Sequence, residues 1–194
     1  MKFRVEVVCI NDAGQEHRSD IREVERRQLA TDAILSPGNV TAGSFGRLAD
    51  PVRVDGQICA QPLYEPSVAI TINGQSQGVH NVVYVATEAN TVWAIDADTY
   101  KILWHTLPVG PPAVVADLGS HLNCGYWVMY PSMGITSTPV IDSSNNVMYV
   151  VAKLELGGSN GPTFEDRIYM IDIGSGTIIK QLQVSGEDVG TPPV

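Results

Sequence analysis

Residues Asn81–Trp104 read NVVYVATEANTVWAIDADTYKILW, and the same skeleton returns over Asn146–Lys180 as NVMYVVAK, an insertion, then DRIYMIDIGSGTIIK. Placing Asp96 over Asp172 sets Trp93 on Tyr169, Ile95 on Ile171, Thr99 on Ser175 and Tyr100 on Gly176. A shorter match precedes each copy, AQPLY at Ala60–Tyr64 and STPVI at Ser137–Ile141, and TPPV at Thr191–Val194 aligns with the start of another. Four short strands written twice at this pitch are the mark of radially repeated β-architecture. The reading is therefore all-β, a partial β-propeller of about two four-stranded antiparallel blades. The first sheet is expected near 60–64, 82–87, 91–96 and 101–105, and the second near 136–141, 146–152, 167–172 and 177–183.

Residue types within the copies have mechanical reasons. Val82–Ala86 and Val147–Ala152 are almost continuously apolar, as befits a blade packed on both faces. Asp96 and Asp172 stand where a strand enters a turn, and a carboxylate there can accept the next backbone N–H groups and fix a tight hairpin. Trp104 closes the outer strand and offers a large apolar surface to an adjoining blade, about 2–3 kcal/mol as buried area. Three stretches are read as insertions: Glu65–Val79 inside the first blade, Leu107–Gly134 between blades, and Leu154–Glu165 inside the second. Long loops are where such a scaffold carries binding function. Asp55-Gly56, flanked by Val52–Val54 and Gln57–Cys59, is the strongest short hairpin signal of the chain.

The phrase Ala94-Ile95-Asp96 followed by a turn and Trp104 resembles the quinoprotein (PQQ)-like β-propeller repeat, and the resemblance runs over about residues 32–194. In the second copy Asp172 and Gly176 remain, but Met170 replaces the small Ala and Lys180 stands where Trp104 aligns. The stretches VDGQICAQPLY, GVHNVVYVATE and GITSTPVID look like a secreted bacterial subgroup of such proteins. What the resemblance implies is a non-catalytic scaffold or binding module, part of a larger propeller, that takes a protein or small-molecule ligand through its loops. The alternative it implies is a piece of a quinone-dependent dehydrogenase, and only then would PQQ and calcium be cofactors. Such enzymes hold the quinone with residues of many blades, often beside adjacent cysteines, and this sequence has no Cys-Cys pair. A fold of this kind does not itself decide between these functions.

Residues 1–30 differ in composition from the remainder of the chain. They hold 6 of the 12 basic and 6 of the 21 acidic residues, so the whole net charge of −9 falls on the other residues, and the domain boundary is set at 30/31. Lys2–Ile10 alternates apolar and polar residues before Asn11–Gly14, a strand and a turn; Ile21–Ala30 reads as a short helix. The VVCI-D-GQE-R phrase loosely resembles the start of certain bacterial insertion-sequence transposases, without a catalytic residue. Charge −9 argues against a nucleic-acid surface. No apolar run reaches the length of a membrane span, and no secretory signal is read at the start. Cys9, Cys59 and Cys124 are odd in number and widely spaced, so they name no compartment. The turn Ser36–Asn39 includes a glycosylation sequon at Asn39. Two blades cannot close a ring, so open blade faces are expected to favour self-association.

Candidate chemistry is thin. Asp117, His121 and Cys124 share the segment DLGSHLNCGYW, but a structural zinc site takes four ligands, and a packed Cys with a surface His is the plainer reading. Ser120 beside His121 is adjacency in sequence, whereas nucleophile and base are assembled in space. His80 and His105 read as strand-end surface residues, and Glu165-Asp166 and Glu187-Asp188 as solvated turn faces. Asn73-Gly74 and Gly157-Gly158 read as turns, since no phosphate-loop lysine comes after either. No catalytic or metal-binding residue is assigned from this set, and no cofactor-binding residue is identified.

Overall fold

The structure, a computed structural model, describes residues 9–10, 16–17, 41, 50–115, 131–157 and 161–185. The chain forms two compact units, Met1–Val52 and Arg53–Val194. In the first, β1 (Cys9–Ile10) pairs antiparallel with β2 (Glu16–His17), so the strand expected up to Ile10 is seen at its end. The expected helix at Ile21–Ala30, the turn at Ser36–Asn39 and Thr191–Val194 lie outside the described residues.

The second unit holds β3 (Leu63–Ile72), β4 (Gln75–Ala86), β5 (Val92–Asp96), β6 (Ile102–His105), β7 (Ala113–Val114), β8 (Ser132–Met133), β9 (Val140–Asp142), β10 (Val147–Leu156), β11 (Thr163–Asp172) and β12 (Ile178–Gln183). Two four-stranded antiparallel sheets result, in the orders β3-β4-β5-β6 and β9-β10-β11-β12, with β7-β8 as a small ribbon. The protein is all-β, a partial propeller in which the two sheets share one core. The first sheet contributes Val82, Tyr84, Ala86, Val92, Ala94 and Trp104 to it, the second Met148, Val150, Ala152, Leu154, Tyr169 and Ile171.

Two of the expected insertions are strand. Glu65–Val79 is the outer half of the β3-β4 hairpin, turning at Asn73-Gly74. Its residues alternate, with Val68 and Ile70 buried and Ala69 and Thr71 exposed, and this period of two keeps the chain extended. A register shift between Glu65 and Val68, with Ser67 at φ 57°, absorbs the Pro66 that cannot serve the ladder. Hence the first strand lies at 63–72 rather than 60–64. Likewise Leu154–Glu165 lengthens β10 and β11, paired from Leu154↔Glu165 to Leu156↔Thr163. The strand expected at 136–141 shrinks to β9, which begins after Pro139.

The Asp55-Gly56 hairpin does not form. No strand flanks it; instead Asp55 reaches across to the β4-β5 turn, accepting from the Thr91 hydroxyl at 2.7 Å, the Trp93 indole at 2.9 Å and the Thr87 hydroxyl at 3.2 Å. Gly56, at φ 63°, lies so close to Ala89 that a Cβ would stand 2.8 Å from its backbone nitrogen. A turn dipeptide can equally serve a close approach between segments, and tertiary docking here decides.

Candidate functional site

The hairpin turns of the two sheets are built alike. Asp96 Oδ1 accepts the N–H groups of Thr99 at 2.6 Å and Asp98 at 2.9 Å, and Asp172 Oδ1 accepts that of Ser175 at 2.8 Å. Both carboxylates thus fix turns, as their positions before Asp-Thr and Gly-Ser predict. The first has a further partner: His80 Nδ1 lies 2.6 Å from Asp96 Oδ2, and its Nε2 lies 3.1 Å from the Gln77 carbonyl. Two acceptors at the two ring nitrogens suit the imidazolium. The Asp96 bond, then the Gln77 carbonyl, raise the His80 pKa above its ordinary 6.5. Burial pushes the Asp96 carboxyl up, but the bonds from His80, Thr99 and Asp98 outweigh it and leave it below the usual carboxylate value. His80 is therefore an ion-pairing residue rather than a surface strand end.

Trp104 is the wedge between the sheets. It is 6% exposed, lies 5.8 Å from the Tyr84 ring, and covers Gly176 so closely that a Cβ there would sit 2.6 Å from Cε3. Beside it the Tyr84 hydroxyl donates to the Ile173 carbonyl at 2.8 Å, and burial raises that phenol's pKa. Thr71 N–H donates to the Gly174 carbonyl at 3.1 Å. The β3-β4 hairpin and the 172–177 turn are thereby held together along an open groove. A cleft of about 640 Å³ is lined by Asn73, Gly74, Trp104, His105, Ser175 and Thr177 among others. A smaller recess of about 310 Å³, lined by Asn146, Asp172 and Gly174, shares Thr71 and Ser175 with it.

Of the residues singled out in the sequence, the structure gathers Asn73-Gly74, Trp104 and His105 into this one groove. His105 stacks on Trp93 with ring centroids 4.4 Å apart, so one face of its ring is spoken for. Glu165 and Asp166 pair with Arg167 and Lys153, so they hold strands together rather than facing solvent as a turn. Asp117, Ser120, His121, Cys124, Gly158 and Glu187-Asp188 lie outside the described residues. Among the described residues no cluster of three His, Cys, Asp or Glu side chains has metal-binding geometry.

Sequence reasoning missed Glu88 and Asn90. Both sit in the β4-β5 turn and are fully buried. Glu88 Oε2 accepts from Gly134 N–H at 2.6 Å and the Thr136 hydroxyl at 3.0 Å; Asn90 Nδ2 donates to the Lys153 carbonyl at 2.9 Å. The turn of one sheet is thus bonded into the other. The sequence signal is Glu88 and Asn90 placed just after the apolar run Val82–Ala86, which reads as a solvated turn until the neighbouring sheet is in place.

Groove chemistry is neutral and hydrogen-bonding: an amide at Asn73, hydroxyls at Thr71, Ser175 and Thr177, an imidazole at His105 and the indole of Trp104. The Trp104 Nε1–H is out of water and has no acceptor among the described residues. No family model matches the chain, and no curated protein matches it.

Proposed function

We propose that this chain is a non-catalytic binding module, a portion of a propeller of the quinoprotein-like repeat type, and that it takes an uncharged, hydrogen-bonding ligand in the groove beside Trp104. The observation that carries this reading is the convergence of one amide, three hydroxyls and an indole on a groove walled by two interlocked sheets. The charged groups nearby serve the frame: Asp96 and His80 hold one turn and Asp172 the other. Pockets with a few placed polar groups on an apolar wall are the usual form of small-ligand sites.

The alternative, a piece of a quinone-dependent dehydrogenase, asks the groove to hold a quinone bearing carboxylates. No lysine or arginine is among its lining residues, so they do not fit that group. The test is a fluorescence titration of the full chain with neutral oligosaccharides and neutral peptides, beside pyrroloquinoline quinone with Ca²⁺. Saturable quenching by a neutral probe, weakened in Asn73→Ala, supports the binding module. Quinone binding with dye reduction overturns it.

A further inference from the structure

The first sheet docks through the cross-strand row Leu63–Tyr84–Ala94–Trp104. Register places Val140–Tyr149–Met170–Lys180 in the same row of the second sheet. There the row is open: Val140 is 64% and Tyr149 38% exposed, Lys180 is exposed, and Leu182 in the next row is 64% exposed. The second sheet thus repeats, uncovered, the face by which the first one binds.

The seat of that face is also repeated. Tyr84 and Trp104 rest on the turn after Asp172, and the turn after Asp96 has the same bonds. Ala97 N–H donates to Asn81 O at 2.7 Å as Ile173 N–H does to Asn146 O at 3.0 Å. Tyr100 N–H donates to Asp96 O at 2.8 Å as Gly176 N–H does to Asp172 O at 2.9 Å, with φ 61° and 72°. The two departures from the repeat are matched to each other. Where Trp104 meets Gly176, the spare face offers Lys180 and the spare turn offers Tyr100, with Asp98 exposed two residues before it.

We propose that a second copy of this chain docks head to tail on the open face of the second sheet, presenting the 96–100 turn of its first sheet. In that pairing Tyr149 takes the part of Tyr84, while the Lys180 ammonium lies between the Tyr100 ring and the exposed Asp98 carboxylate. An ammonium over an aromatic face and beside a carboxylate is attracted to both, and such complementarity sets register and partner more than affinity. On the outer face of the first sheet Val85 and Ile95 are 5% and 9% exposed, so contact there concentrates on the turn. The interface is heterologous and extends to rings or open chains rather than stopping at a pair.

This goes beyond the groove reading, and a ligand in the groove is scored separately. Sedimentation velocity of the full chain from low to high micromolar concentration is the test. The expected result is concentration-dependent association beyond the dimer. Lys180→Glu weakens it by about tenfold or more through like charge against Asp98. Lys180→Glu combined with Asp98→Lys restores it, a rescue that face-to-face packing of two second sheets would not show. All these positions are exposed, and circular dichroism verifies that the variants fold. A monomer at every concentration, an unaltered Lys180→Glu, or failure of the charge swap to restore association overturns the proposal.

Discussion

Replacing Gly176 by alanine isolates the contact that holds the two sheets together. Two costs are expected. The new Cβ would stand 2.6 Å from Cε3 and 3.0 Å from Cδ2 and Cζ3 of Trp104, so the indole must shift within a packed core. Overpacking of this kind costs about 1–3 kcal/mol. The residue also sits at φ 72°, where a side chain adds about 1 kcal/mol of strain. The structure separates these contributions, because Tyr100 holds the equivalent turn position at φ 61° with a full side chain and no indole above it. Left-handed backbone is therefore tolerated in this turn, and the greater part of the loss belongs to Trp104. The sum is about 2–4 kcal/mol, or a fall of about 5–15 °C in Tm for a chain of this size. Urea unfolding of four proteins forms the cycle: wild type, Gly176→Ala, Trp104→Ala and the double variant. Trp104→Ala alone should cost about 3–5 kcal/mol by leaving a cavity. Gly176→Ala placed on top of it should cost only the backbone strain, because the clash has gone. Additive losses, or a Gly176→Ala change under about 0.5 kcal/mol, would refute the docking of indole on turn.

Stability should depend on pH through His80 and Asp96. The raised His80 pKa means a contribution fully present below 6.5 and lost as pH rises through the folded value; the lowered Asp96 pKa means one present above 3.8 and lost as pH falls through the folded value. The unfolding free energy measured in urea across this range should be highest between the two, by about 1 kcal/mol after allowing for water at the partly exposed imidazole, and His80→Gln should flatten the upper limb. Asp55→Ala removes the acceptor of Thr87, Thr91 and the Trp93 indole, and should cost about 1–2 kcal/mol with altered Trp93 emission. Unchanged urea unfolding would mean the 55–57 segment does not brace the β4-β5 turn.

The repeat was legible because its positions are fixed by chemistry local to each turn. Asp96 and Asp172 accept N–H groups two or three residues ahead, so one aspartate before a short turn announces the bond, and the alignment of the two carries the rest of the register with it. Trp104 was legible for its size. The long hairpin arms were not, because Glu65–Val79 is opened by a proline and contains Asn73-Gly74, both of which read as loop until Val68 and Ile70 are seen to face a core supplied by the other strand. The Asp55-Gly56 signal failed for a related reason: a dipeptide that suits a tight turn suits equally a segment pressed against another, and only the partner distinguishes them. Glu88 and Asn90 lie at the far end of this scale. Each is polar, in a four-residue turn, and buried solely because Gly134 and Lys153 approach from sequence positions some 46 and 63 residues away. The groove combines both cases. Its aromatic wall follows from Trp104, yet the hydroxyls of Ser175 and Thr177 come from a turn in the other sheet, so the residues were visible one by one while the site exists only once Gly176 lets the sheets close.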